Sequence, residues 1–317
     1  MMIGGLKEVT ETLSTKFAES PLGKQLEGAE VFDIGDDVVD QPLGKIYKLE
    51  ISKPMELVDL DENLNYDDNG QPYHTGDGGL IPNNTYVLGE ITYKADDNGN
   101  IYMADGKLKP NTTYELNGSV YKTDDLGRII SCEAKPQRSP ENLRDTEAQR
   151  QAGGEDRKSN DQGGHIVGRD LNGDGGGGNL VAMDSKINQS DYKRMENDVK
   201  NALDEGKDVT TKAEMTYTDD SERPDKITVA VTADGKDTVY KFDNNLDDSL
   251  IDEVPKNGKD AVWAELDDTD GQISSIKEEY DENGNLIETT VYVTYTDEDN
   301  SNHRTKVVID NTQGGEN

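Results

Sequence analysis

The sequence predicts an α+β fold: a central antiparallel sheet with β-rich regions on either side. Three observations predict it. Apolar and polar residues alternate in runs closed by D-G, D-S or N-G turns, the pattern of half-buried strands joined as hairpins. A unit repeats at a period of 28, "PNNTYVLGEITYKADDNGNI" (Pro82–Ile101) aligning with "PNTTYELNGSVYKTDDLGRI" (Pro110–Ile129). One stretch, "SDYKRMENDVKNAL" (Ser190–Leu203), has helical spacing instead, with Tyr192, Met195, Val199 and Leu203 on one apolar face.

In chain order, "LKEVTETLSTKFAES" (Leu6–Ser20) reads as a short amphipathic helix and "LGKIYKLEIS" (Leu43–Ser52) as a strand. "YDDNGQPY" (Tyr66–Tyr73) is a partial copy of the repeat. Within the two full copies Tyr86 matches Tyr114, Tyr93 matches Tyr121, and Asp96-Asp97 and Gly99 match Asp124-Asp125 and Gly127. Each copy reads as a strand and a D-D-x-G turn, hence a β-meander; the alternative is an array of acidic turns that binds cations. Residues 136–165 read as a polar loop, with Arg138, Arg144, Arg150 and Arg157 close together. Ser190 is the expected N-cap of the helix. Residues 204–242 read as three strands, residues 278–297 and 303–310 as strands around an N-G turn, and the last seven residues as loose. The expected domains are 1–79, of unassigned role, the repeats at 80–135, a core at 136–244 and an acidic β-rich extension at 245–317.

Composition narrows the function. Hydrophobic content is 31%, charged content 32% and net charge −34, values near the disordered range, but 14 tyrosines and the β-type runs argue for folded parts. No apolar stretch approaches the ~20 residues that span a bilayer, and the first residues show no apolar signal-peptide core. Cys132 is the single cysteine, which excludes an internal disulfide and a cysteine-built metal site. A polyanion repels nucleic acid. The acidity lies in the flanks, however: residues 101–200 carry a formal charge of only −2.

That near-neutral third holds "DQGGHIVGRDLNGDGGGGNLVAMDSKIN" (Asp161–Asn188). "DLNGDG" starts like a calcium loop, but the position for the bidentate glutamate is Val181. The run Gly175–Gly178 lacks the G-K-[ST] ending of a phosphate loop, and reads as a turn that permits close approach. The remaining reading is catalysis at His165, which follows two glycines, with Asn179, Asn188 and Glu196 at spacings of 9 and 8 further on. A histidine, an amide and a carboxylate make a poor zinc site but a reasonable magnesium site. With an arginine they can hydrolyse a phosphodiester: a base for water, a cation on the phosphate and a fixed positive charge for the transition state.

"GGHIVGRD…NLVAMDSKINQSDYKRMEN" resembles the His-Me finger (ββα-metal) core of the DNA/RNA non-specific endonucleases, in the branch that forms toxin domains of bacterial secreted effectors. The resemblance covers roughly residues 108–244. It implies His165 as general base, Asn188 as holder of one divalent cation (Mg2+, with Mn2+ as substitute) and Glu196 as the group that orients metal-bound water. It also implies Asn179 as a site-shaping amide and Arg144, with Arg157 second, as the catalytic arginine. Two departures stand out: Gln162 occupies the place of an acid before Gly-Gly-His, and the loop after the histidine lacks an aromatic, with Arg169 in its place for part of the basic contact. The implied function is a secreted, metal-dependent nuclease acting on DNA, RNA or both, in the target-cell cytoplasm, with a cognate immunity protein and activity that falls below about pH 6.5, the unperturbed histidine value. The alternative is a catalytically inactive acidic adhesin, interaction module or nucleic-acid mimic.

Overall fold

The computed structural model describes residues 80–312, except 81, 89, 141–142, 298 and 300, and three short strands before them. The helix expected at 6–20 and the strand expected at 43–52 lie outside the described residues. All described elements belong to the unit Lys53–Asn317. The strands of its first half are β1 (Val58–Asp59), β2 (Leu64–Tyr66), β3 (Pro72–His74), β4 (Thr85–Leu88), β5 (Ile91–Ala95), β6 (Ile101–Ala104), β7 (Lys107–Leu108), β8 (Thr113–Leu116), β9 (Ser119–Thr123) and β10 (Ile129–Ala134). Next come helix α1 (Thr146–Gln151), the hairpin β11 (Asp161–His165) and β12 (Leu180–Asp184), and a π-helical turn (Ile187–Tyr192) that runs into α2 (Lys193–Asp204). Then follow β13 (Val209–Thr216), β14 (Lys226–Ala233), β15 (Lys236–Asp243), α3 (Lys259–Thr269), β16 (Gln272–Tyr280), β17 (Leu286–Thr296) and β18 (Asn302–Asp310).

Nine of these strands form one antiparallel sheet in the order β18-β17-β16-β15-β14-β13-β10-β9-β8. Strands from the expected C-terminal extension therefore continue the same sheet, β16 pairing with β15 from Thr238↔Glu279 to Phe242↔Ser275. A second sheet has the order β1-β4-β5-β6-β7, and β2 pairs with β3 in the partial repeat. The D-D-x-G turns behave as hairpin turns. Asp96 Oδ1 accepts from the Asn98 and Asn100 backbone N–H groups at 3.0 and 2.8 Å, and Asp124 Oδ1 accepts from those of Leu126 and Arg128 at 3.0 and 2.9 Å. Gly99 and Gly127 supply the left-handed residue, with φ of 77° and 81°. Those carboxylate oxygens are engaged by the turns themselves, which fits the meander.

The main core lies between the sheet and the hairpin–helix unit. Tyr192, Met195 and Val199, three of the four residues of the expected apolar face, are buried against Ala213, Met215, Ile227, Val229 and Phe242, and Leu203 packs at the margin. Each such side chain contributes about 1.5–3 kcal/mol through burial. A second cluster forms where Val262 and Leu266 of α3 meet Ile273, Ile276, Val291, Val293 and Ile309 of β16–β18.

Three local expectations change. The stretch read as a polar loop contains α1, whose N-cap Asp145 accepts from the Ala148 N–H at 2.9 Å, and it ends in strand β11. Ser190 is not an N-cap. The helical path begins earlier, where Asp184 Oδ1 accepts from the Lys186 N–H at 2.8 Å, so Ser190 falls inside the π turn and its Oγ accepts from Arg304 Nη1 at 3.0 Å. Helix α3 stands where the sequence predicts only a β-rich extension; of its residues Val262 and Leu266 are buried, too short a stripe to stand out among its acids.

Candidate active site

The hairpin β11–β12 frames the site, with Gly164 opposite Val181 and His165 opposite Leu180. The loop between its strands is closed by Asn179. The Asn179 Oδ1 accepts from the Val167 N–H and the Tyr121 hydroxyl, each at 2.9 Å, and its Nδ2 donates to the carbonyls of Val167 at 2.8 Å and Asp174 at 2.7 Å. The Tyr114 hydroxyl donates to the Gly178 carbonyl at 2.7 Å. Behind these contacts Tyr102, Tyr114 and Tyr121 stack with centroids 4.8 and 5.2 Å apart.

Two buried polar joints fix the strands to the sheet. Arg223 grips Asp161 at both oxygens, Nε to Oδ2 at 2.7 Å and Nη2 to Oδ1 at 3.0 Å. Asn244 Oδ1 accepts from the Asp184 N–H at 2.8 Å, while its Nδ2 donates to the Ala182 carbonyl at 3.0 Å. Breaking a buried pair such as Asp161–Arg223 from one side typically costs about 3–5 kcal/mol.

The hairpin, α1 and α2 enclose a cleft of about 830 Å³. His165, Asn188, Glu196, Arg144 and Arg157 all line it. Asn179 does not: it is 0% exposed and its amide is engaged in the loop behind the cleft. Of the two arginines, Arg157 is bound to backbone, its Nη1 donating to the carbonyls of Gln149 at 2.8 Å and Ala152 at 3.0 Å, and its Nη2 to that of Asp161 at 2.8 Å. Arg144 stands exposed at the rim.

Burial pushes the Glu196 carboxyl from its usual 4.5 up to about 7; Lys200 and Lys193 oppose the rise and Asp170 adds to it. The glycines of the loop make room for these groups. A Cβ on Gly168 would stand 2.6 Å from Glu196 Oε1, and one on Gly164 would stand 2.8 Å from Met183 Cε and 3.2 Å from Asn188 Oδ1.

Sequence reasoning missed several partners. Lys193 and Lys200 lie on the Glu196 face of α2 and line the cleft, which their i−3 and i+4 spacing could have revealed. Gln162 accepts from Asn188 Nδ2 at 2.7 Å through its Oε1. Arg223 and Asn244 carried no local mark. Altogether Arg144, Arg150, Arg157, Arg169, Lys193 and Lys200 line the cleft beside Asp170 and Glu196, a formal balance of +4 in a chain of −34.

Among the described residues no three His, Cys, Asp or Glu side chains gather around one point. The Asn188 amide and the Glu196 carboxylate offer hard oxygen donors to the cleft, where Asp170 is already paired with Lys200. They fit a magnesium-like ion that keeps most of its waters better than zinc. The calcium-like loop is not a ligand set: Asp170 Oδ2 meets Lys200 Nζ at 2.9 Å, Asn172 Nδ2 donates to the Asn117 carbonyl at 3.1 Å, and Asp174 Oδ2 accepts from the Gly176 N–H at 2.7 Å.

Type VII secretion system protein EssD of Staphylococcus aureus strain USA300 is 33% identical over 107 residues, which cover 32% of this chain and 17% of that protein. EssD of strain NCTC 8325 / PS 47 gives the same figures, 33% over 107 residues. The likeness thus spans well under a quarter of the relative's length. Residues 110–235 match the family model described as DNA/RNA non-specific endonuclease. The matched stretch runs from the second repeat copy through the hairpin and α2 to the turn after β14.

Proposed function

We propose that the cleft hydrolyses phosphodiester bonds of DNA, RNA or both, with no base specificity, and depends on a divalent cation, Mg2+ or Mn2+. The observation that carries this reading is the convergence of His165, Asn188 and Glu196 on one cationic cleft of a strongly acidic chain. In this reading β11, β12 and α2 are a ββα-metal core. Neutral His165 takes the proton from the attacking water. Asn188 and Glu196 are the residues that would hold the cation. A bound cation would neutralise charge on the phosphate and the leaving oxygen. Arg144, at the rim, stabilises the transition state with its positive charge. Lys193 and Lys200 add sequence-independent hold on phosphates, and the acidic remainder weakens binding and keeps the chain soluble.

Residues 136–244 form the nuclease core in this reading, 80–135 lead into it, 245–317 extend its sheet, and 1–79 have no assigned role. The likeness to a type VII secretion system protein supports an exported effector that acts in a target cell and is restrained by a cognate immunity protein. The test incubates the chain and a His165→Ala variant with supercoiled plasmid and Mg2+, with and without EDTA. The expected result is cleavage by the parent, abolished by EDTA and reduced about 10²–10⁴-fold in the variant. No cleavage by the parent in either Mg2+ or Mn2+ overturns the reading and turns attention to the acidic repeats as an interaction surface.

A further inference from the structure

We propose that Gln162 is a positioning residue that decides which end of the Asn188 amide faces the divalent cation; this rests on the nuclease reading above. The two ends of an amide have nearly the same shape but opposite chemistry, one an acceptor and the other a donor. Packing alone distinguishes them poorly. A cation needs the oxygen, so the nitrogen needs an acceptor of its own. Gln162 supplies it, its Oε1 2.7 Å from Asn188 Nδ2. The acceptor sits on a rigid support. Gln162 follows Asp161, whose carboxylate is clamped by Arg223, and pairs with Met183 in the hairpin. Gly164 leaves the other end of the amide clear, because a Cβ there would come within 3.2 Å of Asn188 Oδ1. Both Gln162 and Asn188 line the cleft, so the choice of amide sense is made where the cation would sit.

The test titrates Mn2+ calorimetrically into the full chain and its variants, and follows their thermal unfolding. Gln162→Met removes the acceptor at similar volume and should weaken Mn2+ binding about tenfold. Gln162→Leu should do the same, and provides a second route if one of the two fails to fold. Gln162→Glu keeps an acceptor and should bind at least as tightly as the parent. In an Asn188→Asp background both ends are oxygen, so adding Gln162→Met should change nothing. An unchanged affinity in Gln162→Met and Gln162→Leu overturns the proposal alone, as does an equal loss in both backgrounds, which would mark a packing effect. No Mn2+ binding by the parent overturns the metal-site reading and the proposal with it.

Discussion

The two full copies of the 28-residue unit share a turn and differ in what they support. In the first, Tyr86 and Tyr93 close a small cluster with Ala95 and Ile101. In the second, Tyr114 and Tyr121 enter the main core and send their hydroxyls to Gly178 and Asn179 of the loop beside His165. The first copy serves the sheet instead. Its turn covers the outer edge of β8: the Asp97 N–H donates to the Glu115 carbonyl at 2.9 Å, and the carboxylates of Asp96 and Asp97 accept from the N–H groups of Glu115 at 3.1 Å and Gly118 at 2.8 Å. A covered edge does not recruit another strand. One local sequence therefore makes a sheet guard in one setting and a brace for the site in the other, and the choice lies in the neighbours its tyrosines meet.

Paired truncations are the hardest test of that contrast. Tyr121→Ala should cost about 3–5 kcal/mol in urea unfolding, the usual loss for a large aromatic in a packed core. It should also lower plasmid cleavage on the order of 100-fold, since a shift of about 1 Å in the catalytic groups suffices for that. Tyr93→Ala should leave cleavage near the parental rate. Equal losses of activity in the two variants would erase the distinction.

A pH series comes next, because Glu196 belongs to the site side. Glu196 holds its proton up to about pH 7 when folded, against 4.5 for an ordinary glutamate. Between those values folding takes up a proton, so stability falls as pH rises through the window. The effect amounts to about 2 kcal/mol, from about 1.4 kcal/mol per unit reduced for partial exposure. Glu196→Gln should therefore be more stable than the parent at pH 8 and lose that advantage by pH 5, as read from urea midpoints. A pH-independent difference would remove Glu196 as the source. The smallest effects belong to the shared turn. Asp96→Ala and Asp124→Ala should each cost about 1–2 kcal/mol, from lost acceptors of backbone N–H groups, with cleavage almost unchanged.

The parts legible from sequence are those whose reasons are local. The apolar stripe of α2, the D-D-x-G turns and the short distance from His165 to Glu196 are all written within a few turns of chain. What stayed hidden depends on partners far apart in sequence. Arg223 meets Asp161 at a separation of 62 residues, and Asn244 reaches Asp184 at 60. Nothing near either residue announces the pairing. Gln162 was noticed as a departure, yet its partner Asn188 lies 26 residues on, across the hairpin and into the helix. Helix α3 escaped because Trp263, its largest apolar side chain, is 49% exposed, while two buried residues carry its packing.

The nine-stranded sheet has a consequence for where the matched stretch can be cut. The family match ends at residue 235, in the turn between β14 and β15. Yet Phe242 of β15 lies against Tyr192 of the π turn with ring centroids 5.1 Å apart. Further out, Arg304 of β18 pairs with buried Asp191 in the same turn and stacks on Tyr292, its guanidinium carbon 4.1 Å from the ring centre. The matched stretch is thus shorter than the packed body that holds it in shape. A fragment cut at the end of the matched stretch would lose Phe242 and Arg304, the partners of Tyr192 and Asp191 in the π turn, so it should unfold more readily than the longer chain.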